Sequence, residues 1–403
     1  MKNESKFLGN ELEYLKSVLD SETWNSTEGS WTGNLESEFA SRFESKHAVA
    51  FNSGTSTLHA ALLAVGVLPG DEVISPALTV IMNTAVTIHC GAIPVYVDID
   101  PDTFNICPID LEKKITKKTK AIQVVSVYGQ SPEMDDIMNI ANKYGIPVIE
   151  DNAECFLGYY KNKLVGTFGS IASYSFENSK HISCGEGGII TTNDEKLAER
   201  CRKFGGHGFK NLTADNGRIK LDPSIFQNPD YKRHDEIGYN YRLAEFNSAI
   251  ALAQLERIDE LVSLRVDSAN IFLDAIKDCD FLTPQFTPDY IKNSYWALGI
   301  KYYGDDKLGV SWFDFRRKYI ELGGDGIYGA WSVPYLEPSI QNRAYHKFNP
   351  SIYENVKYEK GICPNAEEVQ RRLMVFKTNY RNPELAKIKA DILKQTIEYF
   401  TKK

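Results

Sequence analysis

The stretch SYSFENSKHISCGEGGIITT, residues 173–192, sets Lys180 beside His181 ahead of a glycine-rich run. Each could do chemistry, but not the same chemistry. A lysine partly withdrawn from water is a nucleophile that forms Schiff bases with carbonyls. A histidine carries protons near neutral pH. Adjacent residues on an extended or gently turning chain point different ways, so only one of the pair faces a given site. Ser175 lies five residues before Lys180, at the end of the apolar run IASYSF. The other reading of Lys180 is a surface lysine following a strand.

Three further motifs hold residues of reactive type. In FNSGTSTLHAALLA, Gly54, Thr55 and Ser56 stand where an apolar run gives way to a helical pattern. Gly54 lets a ligand approach the backbone, and free amides at a helix N-terminus attract an anion. The same residues also serve as an ordinary helix cap. In IPVIEDNAE, Asp151 ends a buried apolar run. A carboxylate there needs a cation or several donors; a pyridinium nitrogen is one candidate and a neighbouring loop another. In IGYNYRLAEFNSAIALAQL, Asn240 and Arg242 precede a long apolar helix, either as functional groups or as its cap. Together, an anion turn, an acid and a Ser-x4-Lys in this order fit one task, holding pyridoxal phosphate. Its phosphate needs a helix terminus, its ring nitrogen a carboxylate and its aldehyde a lysine.

These residues need a scaffold that places them at strand ends. The first 250 residues alternate short Val/Ile-rich runs with helical stretches. Strands are expected at 47–52, 71–77, 93–99, 121–129 and 146–151, then in IASYSF and GGIITT. Helices are expected at 56–67, 79–91 and 133–145. Near-continuous apolar strands between amphipathic helices mean a mostly parallel seven-stranded sheet in an α/β architecture. Ligands of such sheets bind outside the strands' carboxyl ends. From about Leu243 the helical spacing continues unbroken to residue 276. It leads from a large domain, residues 1–250, into a smaller α+β domain, residues 251–403. There WALGIKYY reads as a strand and AEEVQRRLMVF as a helix.

Composition narrows the class. The formal charge of −8 and the lack of a long basic run speak against nucleic acid as partner. No apolar run approaches the ~20 residues of a membrane span. The polar N-terminal stretch MKNESKFLGNELEYL lacks the apolar segment of a signal peptide. Seven cysteines without a CxxC pair suggest a reduced, cytoplasmic protein. No histidine spacing suggests a metal site.

The chain resembles the sugar aminotransferases of the DegT/DnrJ/EryC1/StrS family, within the fold-type I pyridoxal-phosphate enzymes. The resemblance runs from FLGNELEYL (7–15) to LAQLERIDELVSLR (252–265). It includes GAIPVYVDID, YGQSPEMDDI, VIEDNAE and SYSFENSKHISCGEGGIITTND, and is loose in the C-terminal third. It implies that Lys180 forms the Schiff base and that Asp151 keeps the pyridine nitrogen protonated. By the same resemblance Ser175 and the Gly54-Thr55-Ser56 turn bind phosphate, and Glu154 lies near the phenolic oxygen. An ionised Glu154 would repel that oxygen, so it is either protonated or turned to another donor. Asn240 is expected to reach the neighbouring subunit's site in a homodimer. The implied reaction moves an amino group from L-glutamate to a nucleotide-linked keto-deoxysugar for surface polysaccharide. The alternatives are a small keto compound such as a ketose phosphate, or a 3-dehydratase, whose Schiff-base position carries histidine. Five residues forward of Ser175 and five back from Gly185 both land on Lys180, the family's Schiff-base spacing, leaving His181 without a role. One departure is Val80, where the family usually has an aromatic residue over the ring.

Overall fold

Runs of Val and Ile that are buried on both faces assemble the central sheet. The structure, a computed structural model, describes residues 5–25, 29–215, 217 and 221–402. Seven strands form this sheet: β1 (His47–Phe51), β2 (Glu72–Pro76), β3 (Ile93–Val97), β4 (Thr119–Val125) and β5 (Val148–Asp151), then, after a hairpin, β8 (Ile171–Ser175) and β9 (Gly188–Thr192). Their order is β1-β9-β8-β5-β4-β2-β3. All neighbours from β3 to β8 run parallel, and only β9 opposes its two neighbours. The α/β class and the mostly parallel seven-stranded sheet are therefore as expected.

The reversal at β9 decides which loops meet. It puts Phe51, Gly188 and Ser175 side by side across three strands. The turn after β1 and the whole 176–187 connection thus emerge at one end of the sheet.

Three expected elements differ. The run expected as a strand over 121–129 stops at Val125, and Val127–Gly129 forms a 3-10 turn. Tyr128 there takes φ 58°, which aims its amide at Glu154. The helical pattern from 243 to 276 is two helices, Glu245–Leu255 and Ile258–Ile276. At the break, Gln254 Nε2 and Arg257 Nη1 both donate to the Lys6 carbonyl, so the N-terminal segment docks there. The expected division at residue 250 falls inside the first of these helices. AEEVQRRLMVF is half helix and half strand. Its helix, Pro364–Arg372, ends before LMVF, whose buried side chains pair into a sheet.

That sheet is three-stranded and antiparallel. It consists of β10 (Leu282–Pro284), β12 (Ala297–Tyr302) and β13 (Leu373–Lys377), in the order β10-β12-β13. A small third sheet pairs β11 (Ile291–Lys292) with the hairpin β6 (Tyr159–Tyr160) and β7 (Lys163–Leu164). The helix Ile258–Ile276 serves two cores. Its residues Ile258, Leu261 and Val262 pack with aromatic residues such as Phe39 and Tyr174. Its residues Phe272, Ala275 and Ile276 pack with Ile300 and Phe376 of the antiparallel sheet. Among the described residues no helix is long and apolar enough to cross a membrane.

Candidate active site

The end of the sheet set up by β9 gathers most of the expected residues. Ser53 accepts from the Ser56 amide at 3.1 Å, and Ser56 Oγ accepts from the Ser53 amide, also at 3.1 Å, which starts the helix Gly54–Ala64 with a capping box. The hydroxyl and amide of Ser56 are thereby committed to the cap. Gly54 and Thr55 keep the helix's orphan N-terminal amides. The Gly54 backbone lies against Ser175: a Cβ there would come within 2.8 Å of Ser175 Cβ. Gly54→Ala is therefore expected to destabilise the protein by about 1–3 kcal/mol through overpacking, measurable by denaturant unfolding.

Asp151 ends β5, buried, with both oxygens engaged by neutral donors. Oδ2 accepts from Asn83 Nδ2 at 3.0 Å and Oδ1 from the Ala153 amide at 3.2 Å. Burial pushes its carboxyl above the usual range, against those hydrogen bonds and the charge of Lys180. Asn83 is itself held, accepting from Thr79 Oγ1 at 2.9 Å and donating to Gln123 Oε1 at 3.2 Å. Val80 is half-buried just ahead of Met82–His89, the helix that carries Asn83.

Lys180 and His181 part company. Lys180 Nζ lies 3.6 Å from Glu154 Oε1 and 4.2 Å from the centre of the Trp296 ring, and its side chain is only 13% exposed. The His181 ring is buried the other way, against Phe156, with Nε2 2.9 Å from the Ser294 carbonyl. Glu154 is turned to another donor: Oε2 accepts from the Tyr128 amide at 3.0 Å. Burial raises its carboxyl, and the nearby Lys180 opposes that rise. Asn240 is not brought to this group. It is exposed, and its backbone bridges Gly206.

Beside Lys180 opens a cavity of about 480 Å³, walled by Tyr128, Trp296, Tyr328 and Trp331, with Lys377 and Asn379 among its polar residues. Tyr128, Trp296 and Trp331 present near-parallel rings with centres 5.8 to 6.4 Å apart. Asn83, Trp296 and Trp331 are members of the site that sequence reading missed. A buried asparagine in an apolar helix is unusual enough to have marked Asn83; no comparable signal marks the tryptophans.

The donor set fits pyridoxal phosphate. Asp151 is a buried acid whose hydrogen bonds come only from neutral groups, as a protonated ring nitrogen requires. The Gly54 backbone and Ser175 form a close cradle that a side chain at 54 would fill. Among the described residues no group of three His, Cys, Asp or Glu is arranged to hold a metal ion.

Comparison with known proteins agrees. The GDP-perosamine synthase of Escherichia coli O157:H7 is 41% identical over 264 residues, 66% of this chain and 68% of that protein. Across three such synthases the chain spans about two thirds of the relatives' own length, 64% to 68%. An aminotransferase structure from Psychrobacter cryohalolentis superposes with a TM-score of 0.85 at 27% identity, covering 100% of this chain and 98% of that one. The E. coli GDP-4-keto-6-deoxy-D-mannose-3-dehydratase with bound hydrated pyridoxal phosphate gives 0.81 at 25% identity, over 98% of each chain. The model of the DegT/DnrJ/EryC1/StrS aminotransferase family matches residues 7–306, beyond the point where the motifs become loose. The chain belongs to this aminotransferase family, whose cofactor is pyridoxal 5′-phosphate.

Proposed function

We propose that the protein moves an amino group from L-glutamate to a nucleotide-linked keto sugar, as a cytoplasmic homodimer supplying surface polysaccharide. The observation that carries this reading is the aromatic-walled cavity beside Lys180. Flat ring faces next to a reactive amine suit a substrate with a planar base at one end and a ketone at the other. Stacking one base is worth ~1–3 kcal/mol. A ketose phosphate would leave those walls uncovered. The synthases at 34% to 43% identity, named for a GDP-linked sugar, support the same class.

When bound, the cofactor supplies an aldehyde that exchanges amino groups and a ring that accepts electrons. The chain's own residues do the rest. The Gly54 and Thr55 amides and Ser175 hold the phosphate, Ser56 acting by capping the helix that presents them. Asp151, oriented by Asn83, holds the proton at the ring nitrogen. Glu154, tethered by the Tyr128 amide, would face the phenolic oxygen. Lys180 Nζ would hold the aldehyde and, as general base, would carry the proton from the donor's α-carbon to the cofactor. Asn240, exposed, is left for the second subunit's site. We read the chain as a large domain, residues 1–250, and a small one, residues 251–403, whose boundary lies within the helix Glu245–Leu255.

The 3-dehydratase reading is weaker, because Lys180 stands at the reactive position and His181 is turned to Ser294. The deciding experiment screens nucleotide-linked keto sugars against ketose phosphates with L-glutamate and follows 2-oxoglutarate. Turnover of ketose phosphates alone would overturn the substrate class. Trp331→Ala is expected to raise KM for the nucleotide-linked substrate about tenfold or more, with KM for glutamate unmoved.

A further inference from the structure

The loop that carries Lys180 is held by its backbone carbonyls. Lys6 Nζ donates to Asn178 O at 2.5 Å. Arg265 Nη2 donates to Ser179 O at 2.6 Å and to Lys180 O at 3.0 Å. Trp296 Nε1 donates to Ser179 O as well, at 3.0 Å. The other arm of Arg265 reaches the opposite way. Its Nη1 donates to Trp296 O at 2.7 Å and to Thr378 Oγ1 at 3.3 Å. Trp296 and Thr378 flank β12 and β13, beside the cavity. One planar guanidinium therefore joins the Lys180 backbone to the strands that wall the cavity.

Arg265 is a costly way to make that join. It is 4% exposed, and all its bonds go to neutral oxygens. The acid whose charge reaches it, Glu177, spends its carboxylate on the amide and hydroxyl of Ser179. An apolar side chain would tie the helix to its neighbours more cheaply. Only a forked donor can hold two successive carbonyls on one side and a third on the other.

We propose that Arg265 is a positioning residue for Lys180: it fixes the amine's backbone against Trp296, so that the lysine and the cavity wall keep one relative placement. The inference rests on Lys180 being the cofactor lysine. That reading is checked first, by borohydride reduction and peptide mapping of the wild-type holoenzyme; cofactor fixed at another residue would overturn it, whatever Arg265 does.

The test of Arg265 compares the holoenzymes of Arg265→Gln and Arg265→Lys with wild type. Four quantities are read: kcat, KM, the visible circular dichroism of the bound cofactor, and the melting temperature. In Arg265→Gln, kcat is expected to fall about 10²-fold, the cost of a misplacement of about 1 Å, with KM for both substrates unchanged and the visible dichroism weakened. Arg265→Lys keeps the charge but loses the fork, so it should fall between the two. If the variants melt earlier yet keep wild-type kcat and dichroism, Arg265 is structural only and the proposal is overturned. Should Arg265→Gln fail to fold, Arg265→Lys decides by the same criteria.

Discussion

Lys180→Ala is expected to lower turnover by at least about 10⁴-fold, the upper end of what one positioned acid–base group contributes. The loss is larger than for other substitutions because the side chain has two tasks, attachment and proton transfer. Among the described residues the nearby candidates are engaged elsewhere, Lys377 with Asp325 at 2.9 Å. Lys6, which reaches the same loop, is directed to the Asn178 carbonyl, and His181 is sealed against Phe156. Two measurements check this: borohydride should fix no cofactor to the variant, and 2-oxoglutarate release should fall to background. A small added amine should restore part of the proton transfer but none of the attachment. A variant that turned over normally would remove Lys180 from the mechanism.

The second large effect is on Asp151. In Asp151→Asn the ring nitrogen meets an amide in place of an anion in a buried setting. Losing one partner of a buried charge pair costs about 3–5 kcal/mol, so cofactor affinity and kcat together should fall by ~10²–10⁴. The pH dependence separates this from simple disruption. Burial raises the Asp151 carboxyl. As pH falls through that raised value, the wild-type carboxylate takes up a proton and loses its hold on a protonated ring. Wild-type affinity therefore weakens on the acid side, and the asparagine variant should lack that limb. Fluorescence titration with pyridoxal phosphate across pH gives both curves. A variant with the wild-type acid limb would exclude Asp151 as its source.

The parts of this site that were legible share a local cause. Strands buried on both faces read as apolar runs, and a reactive residue at such a strand's end stands out, as Asp151 and Ser175 do. Lys180 could be told from His181 by the resemblance, because the family's Schiff-base residue stands five positions from each of Ser175 and Gly185 and that count lies within one loop. What escaped depends on distant segments. Asn83 matters only because β4 and β5 bring Gln123 and Asp151 to it. Trp296 and Arg265 reach the lysine loop from 117 and 86 residues away in the chain. β13 hid within a helical pattern because Leu373–Phe376 continues the apolar spacing of the preceding helix, and only pairing with β12 makes it a strand. The break after Leu255 was hidden likewise, since the N-terminal segment that docks there is far away in sequence.

The carbonyls of the lysine loop also set a clock on synthesis. All seven strands of the main sheet are complete by Thr192, but Trp296 is made 117 residues after Ser179. At ~5–20 residues per second, roughly 6–23 s of translation separate the loop from its last support. For most of that interval the main sheet is complete while the loop's carbonyls have only Lys6, and later Arg265, to hold them. The full set of backbone supports for the lysine loop is thus assembled only late in synthesis, well after the sheet that carries the loop.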